Sequence, residues 1–143
     1  EKAVRALEGL KIIIIASFSH PTIKNLQETF DEGDESLITS KSTVLIATHL
    51  FSGVSRAMRK KYSSSSPEEI IAQALRMVGV GLKVCIECTV MAADAGLVST
   101  DEDIIAVAGT HGGADTGIVV RPVNSQDIFD LKVKEILCKP SNW

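Results

Sequence analysis

Asp103–Pro122 reads DIIAVAGTHGGADTGIVVRP, and the way its two halves pair decides the fold. The flanks, DIIAVAG and TGIVVRP, are short and rich in Ile and Val, the composition of β-strands, and Pro122 ends the second. Between them Gly109, Gly112 and Gly113, with Gly117 just beyond, sit among Thr110, His111, Ala114, Asp115 and Thr116. Glycine at this density marks an unusual backbone path or something that approaches the backbone closely. The stretch is not a G-x-G-x-x-G dinucleotide fingerprint, because an apolar run follows where a helix is required. It is not a Walker loop either, having no Gly-Lys-Ser/Thr. It reads as a long turn between two strands, whose successive N–H groups can form an anion-binding nest.

Working outward, KIIIIAS (Lys11–Ser17) and TVLIATH (Thr43–His49) are continuous β-branched runs, the pattern of strands covered on both faces. EKAVRALEGL before the first of them has helical spacing at Ala3, Val4, Ala6, Leu7 and Leu10. A helix running into a buried strand is half of a β-α-β unit, so the first strand is expected to precede Glu1. SHPTIKNLQETF starts a helix after Pro21, and DEGDES is an acidic turn. In SSSSPEEIIAQALRMVGVG, Ser66 is the candidate N-cap, Pro67 is at N1, and Glu69 at N3 completes a capping box. Ile70, Ile71, Ala74, Leu75 and Val78 form its buried stripe, and the Ser run before it reads as a flexible connector. LKVCIECTVMAADAGL predicts one long helix over Lys83–Ala95, with Val84, Cys88, Met91, Ala92 and Ala95 on one face. DIFDLKVKEIL suits a closing helix or a strand. Strands separated by helices argue for an α/β sheet with helices on both faces.

Bulk properties exclude some functions. With 143 residues, 45% apolar and 23% charged, the chain is expected to be one domain with a real core. A net charge of −3 and only one Trp, one Tyr and four Phe leave neither a field nor stacking platforms for nucleic acid. The apolar runs are far too short to span a membrane. No signal peptide is evident, and three Cys do not make a disulfide framework, so a cytoplasmic location is expected.

Cys85-Ile-Glu-Cys88 matches C-x-x-C but lies inside a helix without a second ligand pair, so buried, reduced, metal-free thiols are expected. Glu87 stands among apolar residues of that helix, where a carboxylate has either a salt-bridge partner or a catalytic task. Thr48 and His49 end a strand, the position where α/β proteins place ligand contacts. Arg56, Arg59, Lys60 and Lys61 suit an anion-binding face or a solvated helix face.

The blocks LEGLKIIIIAS, TVLIATHLFSG, GLKVCIECTVMAADAGLVSTDEDIIAVAGTHGGADTGIVVRP and NSQDIFDLKVKEILCKP resemble a family of mostly archaeal proteins with the fold of the pyruvate kinase C-terminal domain. MAADAG, GADT and FDLKVKEI are its most specific parts. The resemblance covers nearly the whole chain. It implies a three-layer α/β/α domain with a mostly parallel sheet and one antiparallel strand near the C-terminus, lacking its first strand and loop at the N-terminus. It also implies a domain that binds a phosphorylated effector and performs no kinase chemistry, with the Gly109–Thr116 turn as one of two phosphate-facing loops.

Three functions follow as expectations. The first is a module that binds a small phosphorylated molecule, a flavin mononucleotide (FMN)-like compound or a sugar phosphate, through Thr48, His49, Glu87 and Gly109–Thr116. The second is an enzyme acting on a phosphorylated metabolite with Glu87, His49 or His111 as acid/base groups. The third is a structural oligomerising domain with a vestigial pocket. A twofold homodimer is expected on general grounds.

Overall fold

The computed structural model describes residues 11–17, 42–109 and 113–142. The chain forms two units, Glu1–Ala47 and Thr48–Trp143. The helices expected around residues 2–10 and 21–30 lie outside the described residues, as does the acidic turn.

In the first unit, β1 (Ile12–Ser17) and β2 (Ser42–Ala47) pair in parallel, from Ile12 opposite Ser42 to Ser17 opposite Ala47. A parallel pair requires a crossover of about a dozen residues or more, and residues 18–41 provide that length.

The second unit carries three helices, α1 (Gly53–Tyr62), α2 (Pro67–Arg76) and α3 (Val80–Asp94), followed by a three-stranded sheet. Its strands are β3 (Ile104–Ala108), β4 (Thr116–Arg121) and β5 (Lys132–Cys138), in the order β3-β4-β5 with both pairs antiparallel. A 3₁₀ segment, Ser125–Asp130, precedes β5, so DIFDLKVKEIL is mostly strand.

These sheets overturn the expected three-layer α/β/α architecture with a mostly parallel sheet, and with it the fold implied by the resemblance. The reason lies in the opening segment. Only residues 109–115 separate β3 from β4, too few for a crossover helix, so the second strand turns back beside the first. Ile104 faces Val120 and Ala108 faces Thr116. Burial along β3 follows the antiparallel pattern of one covered face. Ala106 is buried, while Ile105 and Val107 are exposed.

α3 lies between that sheet and α2. It is one helix, as its pattern predicts, beginning three residues earlier than expected and buried on nearly every side. Leu82, Cys85 and Ile86 pack with Ala106, Ile118 and Val120 in the core. Close approach is enforced at Gly81, where a Cβ would overlap the Thr116 side chain.

α2 begins at Ser66 with Pro67 in its first turn, as expected, but the capping box does not form. No side chain caps the helix. The Ser66 hydroxyl donates instead to Ser55 Oγ (2.9 Å), and Ser55 donates to the Phe51 carbonyl (2.8 Å). Glu69 turns away to pair with Arg59. The hydroxyl chain holds α1 and the end of the serine run together, so Ser66 is a buried anchor and not free linker.

Candidate functional site

The side of α3 opposite the sheet is ionic. Lys83 and Glu87 are one turn apart, so their side chains stack on one face, and they form an ion pair. Lys83 is 4% exposed and Glu87 fully buried. The carboxylate collects two further partners from the segment leading into α1. The Phe51 N–H donates to Oε1 at 3.1 Å, and His49 Nδ1 lies 2.8 Å from Oε2. That second approach is at ion-pair distance but short of hydrogen-bond alignment, since Nδ1 has no aligned acceptor among the described residues. Burial pushes the Glu87 carboxyl up, but His49 and Lys83 together outweigh it and hold it below its ordinary value. Glu87 is therefore ionised at neutral pH and fixes both bases.

Lys83 also reaches into a cleft of about 410 Å³ that α1, α2 and α3 enclose. Arg56 and Arg59 of α1 and Arg76 in the last turn of α2 share its lining with the buried Lys83, so four cationic residues border it, Arg56 and Arg59 at its exposed side. Ser52 and Gln73 add neutral polar groups, and Phe51 and Ala72 the apolar part. The one carboxylate in the lining is Glu69, ion-paired through Oε1 to Arg59. Positive charge gathered in a concave, partly desolvated surface is chemistry suited to an anion.

The residues expected to form one site thus divide. His49 and Glu87 come together, and Arg56 and Arg59 line the adjoining cleft. Lys60 and Lys61 are exposed and not part of that lining. Thr48, next to His49 in sequence, is exposed. The described end of the glycine-rich turn, Asp115 and Thr116, meets α3 at Gly81, on its other side. Thr110, His111 and Gly112 lie outside the described residues. A Cβ at Gly109 would overlap the Gly113 carbonyl oxygen, and Gly113 has φ of +107°, so turn geometry accounts for both glycines. Ala114 is exposed, the Asp115 N–H closes the turn on the Ala108 carbonyl (3.0 Å), and the buried Thr116 donates to Asp115 Oδ1 (2.6 Å). The expectation that ligands gather beyond the carboxyl end of β3 belongs to parallel sheets, whereas β3 and β4 form an antiparallel hairpin.

Sequence reasoning singled out neither Lys83 nor Arg76. For Lys83 a signal was present, because a base and an acid four residues apart in an otherwise apolar helix form a pair. Arg76 carried no signal of its own, and only the packing of α2 on α3 brings it to the cleft.

Cys85 and Cys88 are free thiols, buried and half-buried. Burial pushes Cys85 up to about 12, and burial and then the Glu87 charge push Cys88 up to about 11. Among the described residues, no group of three His, Cys, Asp or Glu side chains is placed to hold a metal ion. None of their helices is long and apolar enough to cross a membrane. No family model matches the chain.

Proposed function

We propose that this protein binds a small phosphorylated molecule, and that the α1–α2–α3 cleft is where its phosphate sits. The observation that carries the reading is that Arg56, Arg59, Arg76 and Lys83 border one cleft. Arginine forks match phosphate oxygens two at a time, and the buried Lys83 adds a charge that water screens poorly. Of the two ligand classes the sequence suggests, a sugar phosphate fits better than an FMN-like flavin. Only Phe51 and Ala72 in the lining are apolar, too little surface to seat a flavin ring. Glu87 works from behind, as a positioning residue that holds the Lys83 side chain in place. Its ion pairs leave it ionised and without access to solvent, which supports a binding or regulatory role over acid/base catalysis.

Calorimetric titration with methyl phosphate at low ionic strength tests this. The wild-type protein is expected to bind, with Arg56→Ala and Arg76→Ala each losing about tenfold or more in affinity, the scale of one charge-assisted contact. Absence of binding by the wild-type protein, or undiminished binding by both variants, overturns it.

A further inference from the structure

The three-stranded sheet has two edges, and they differ in composition. β5, at one edge, carries Lys132, Lys134 and Glu135, and its pairing with β4 is irregular at two places. Charges and irregular pairing are devices that keep an edge from adding further strands. β3, at the other edge, has neither. Its five residues, IIAVA, are all apolar, and it pairs with β4 without a register shift. Among the described residues β4 is its one neighbour in the sheet. The N–H and C=O groups of β3 that point away from β4 therefore form an open ladder. Beside that ladder Ile105 and Val107 are 62% and 60% exposed.

An open ladder takes another strand, and β3 is complementary to a second copy of itself. When two copies are set antiparallel about Ala106, Ile104 faces the partner's Ala108 and Ile105 faces the partner's Val107. Each pair keeps face with face. Ile104 and Ala108 lie on the side that packs against α3, and Ile105 and Val107 on the open side. The acidic residues that lead into β3, Asp101, Glu102 and Asp103, then come to opposite ends of the strand pair. A parallel arrangement would crowd them together. An antiparallel pair of identical strands also has a twofold axis, so the contact closes at two copies. The charged β5 edges then bound the joined sheet on both sides.

We propose that the open edge of β3 is a dimerisation surface, pairing antiparallel about Ala106 with β3 of a second copy of this chain to make one continuous six-stranded sheet. The inference does not rest on the phosphate-binding reading, because the cleft borders the side of α3 opposite the sheet. One strand pair is a small contact, so the dimer is expected to dissociate on dilution.

Sedimentation velocity over a series of protein concentrations tests this. The wild-type protein is expected to pass from one chain to two as concentration rises. Two double variants that lose the same apolar side chains then test the register. Ile105→Lys with Val107→Lys sets like charges against each other across the axis, and Ile105→Lys with Val107→Glu sets opposite ones. Both positions are exposed, so both variants are expected to fold, which far-ultraviolet circular dichroism checks. The second is expected to associate about tenfold or more tightly than the first. If either variant does not fold, the wild type supplies the register without substitution. In a mixture of isotope-labelled and unlabelled protein, magnetisation is expected to pass between Ile105 and the partner's Val107. A wild type that is monomeric at every concentration, equal association by the two folded variants, or a dimer that lacks this contact overturns the proposal.

Discussion

The two sides of α3 are buried to a similar depth by different chemistry. Toward the sheet, Leu82, Cys85 and Ile86 meet Ala106, Ile118 and Val120, and the contacts are apolar and close. Toward α1 and α2, Lys83 and Glu87 form an ion pair joined by His49 and the Phe51 N–H. The apolar side stabilises through burial, at about 25 cal/mol for each Å² removed from water. A buried ion pair supplies little net stability, because desolvation offsets attraction. What the ionic side supplies is a fixed charge at the floor of a cleft. Burial alone therefore does not distinguish the two sides, whereas the type of group buried does.

Removing one member of the ionic side is expected to have the largest effect. Glu87→Ala strands the Lys83 ammonium and the Phe51 N–H, and a loss of about 3–5 kcal/mol in urea unfolding is expected. Replacing both, as Lys83→Met with Glu87→Leu, is expected to cost less than Glu87→Ala alone. A double variant as damaged as the single would show that Lys83 and Glu87 do not act as a unit. The same carboxylate predicts a pH dependence. Its pKa in the fold is below the 4.5 of the unfolded chain, so its contribution is complete above about pH 4.5 and disappears as pH falls through the folded value. Unfolding midpoints measured between pH 3 and 7 are expected to fall less steeply at the acid end for Glu87→Gln than for wild type.

The sheet side is expected to respond to volume instead. Gly81→Ala places a methyl group against the Thr116 side chain, and overpacking of this kind costs about 1–3 kcal/mol. The loss is expected to change less than that of Glu87→Ala as pH falls from 4.5 to 3, the range in which the Glu87 contribution disappears. An equal dependence in both variants would erase the distinction between the two sides.

Much of this arrangement was legible in the sequence. Pro67 and the apolar spacing marked α2, although of the expected buried stripe Ile70, Ala74 and Val78 are exposed and Ala72 is the buried residue, and the helical spacing of Val84, Cys88, Met91, Ala92 and Ala95 marked α3. β3 and β4 were visible as β-branched runs. Their direction was misjudged because strand composition does not encode pairing. The length of the 109–115 connection does, since it admits a hairpin and not a crossover. Ser66 and Glu69 had the spacing of a capping box, yet each found a stronger partner across α1, Ser55 and Arg59, and tertiary contacts are not local. Glu87 stood out as a carboxylate among apolar neighbours and His49 as a residue past a strand end, but nothing in the sequence joined the two, and Lys83 was not singled out. The cleft itself has no sequence pattern, because its four cations come from three helices.

The smallest expected effect concerns the thiols. With Cys85 and Cys88 pushed up to about 12 and about 11 by burial and, at Cys88, the Glu87 charge, neither provides thiolate at pH 7.5. In a thiol titration the native protein is expected to react at the exposed Cys138 alone, and at all three cysteines once unfolded. Fast modification of Cys85 in the native state would mean that α3 leaves the sheet readily.

The claim that the ionic side of α3 is the binding side is tested most directly by following backbone amide resonances of ¹⁵N-labelled protein during addition of methyl phosphate. The account predicts shifts concentrated at residues 51–59 and 69–83, with the turn at residues 109–116 nearly unmoved. Shifts centred on 109–116, with the cleft residues silent, would place the phosphate at the glycine-rich turn and contradict it.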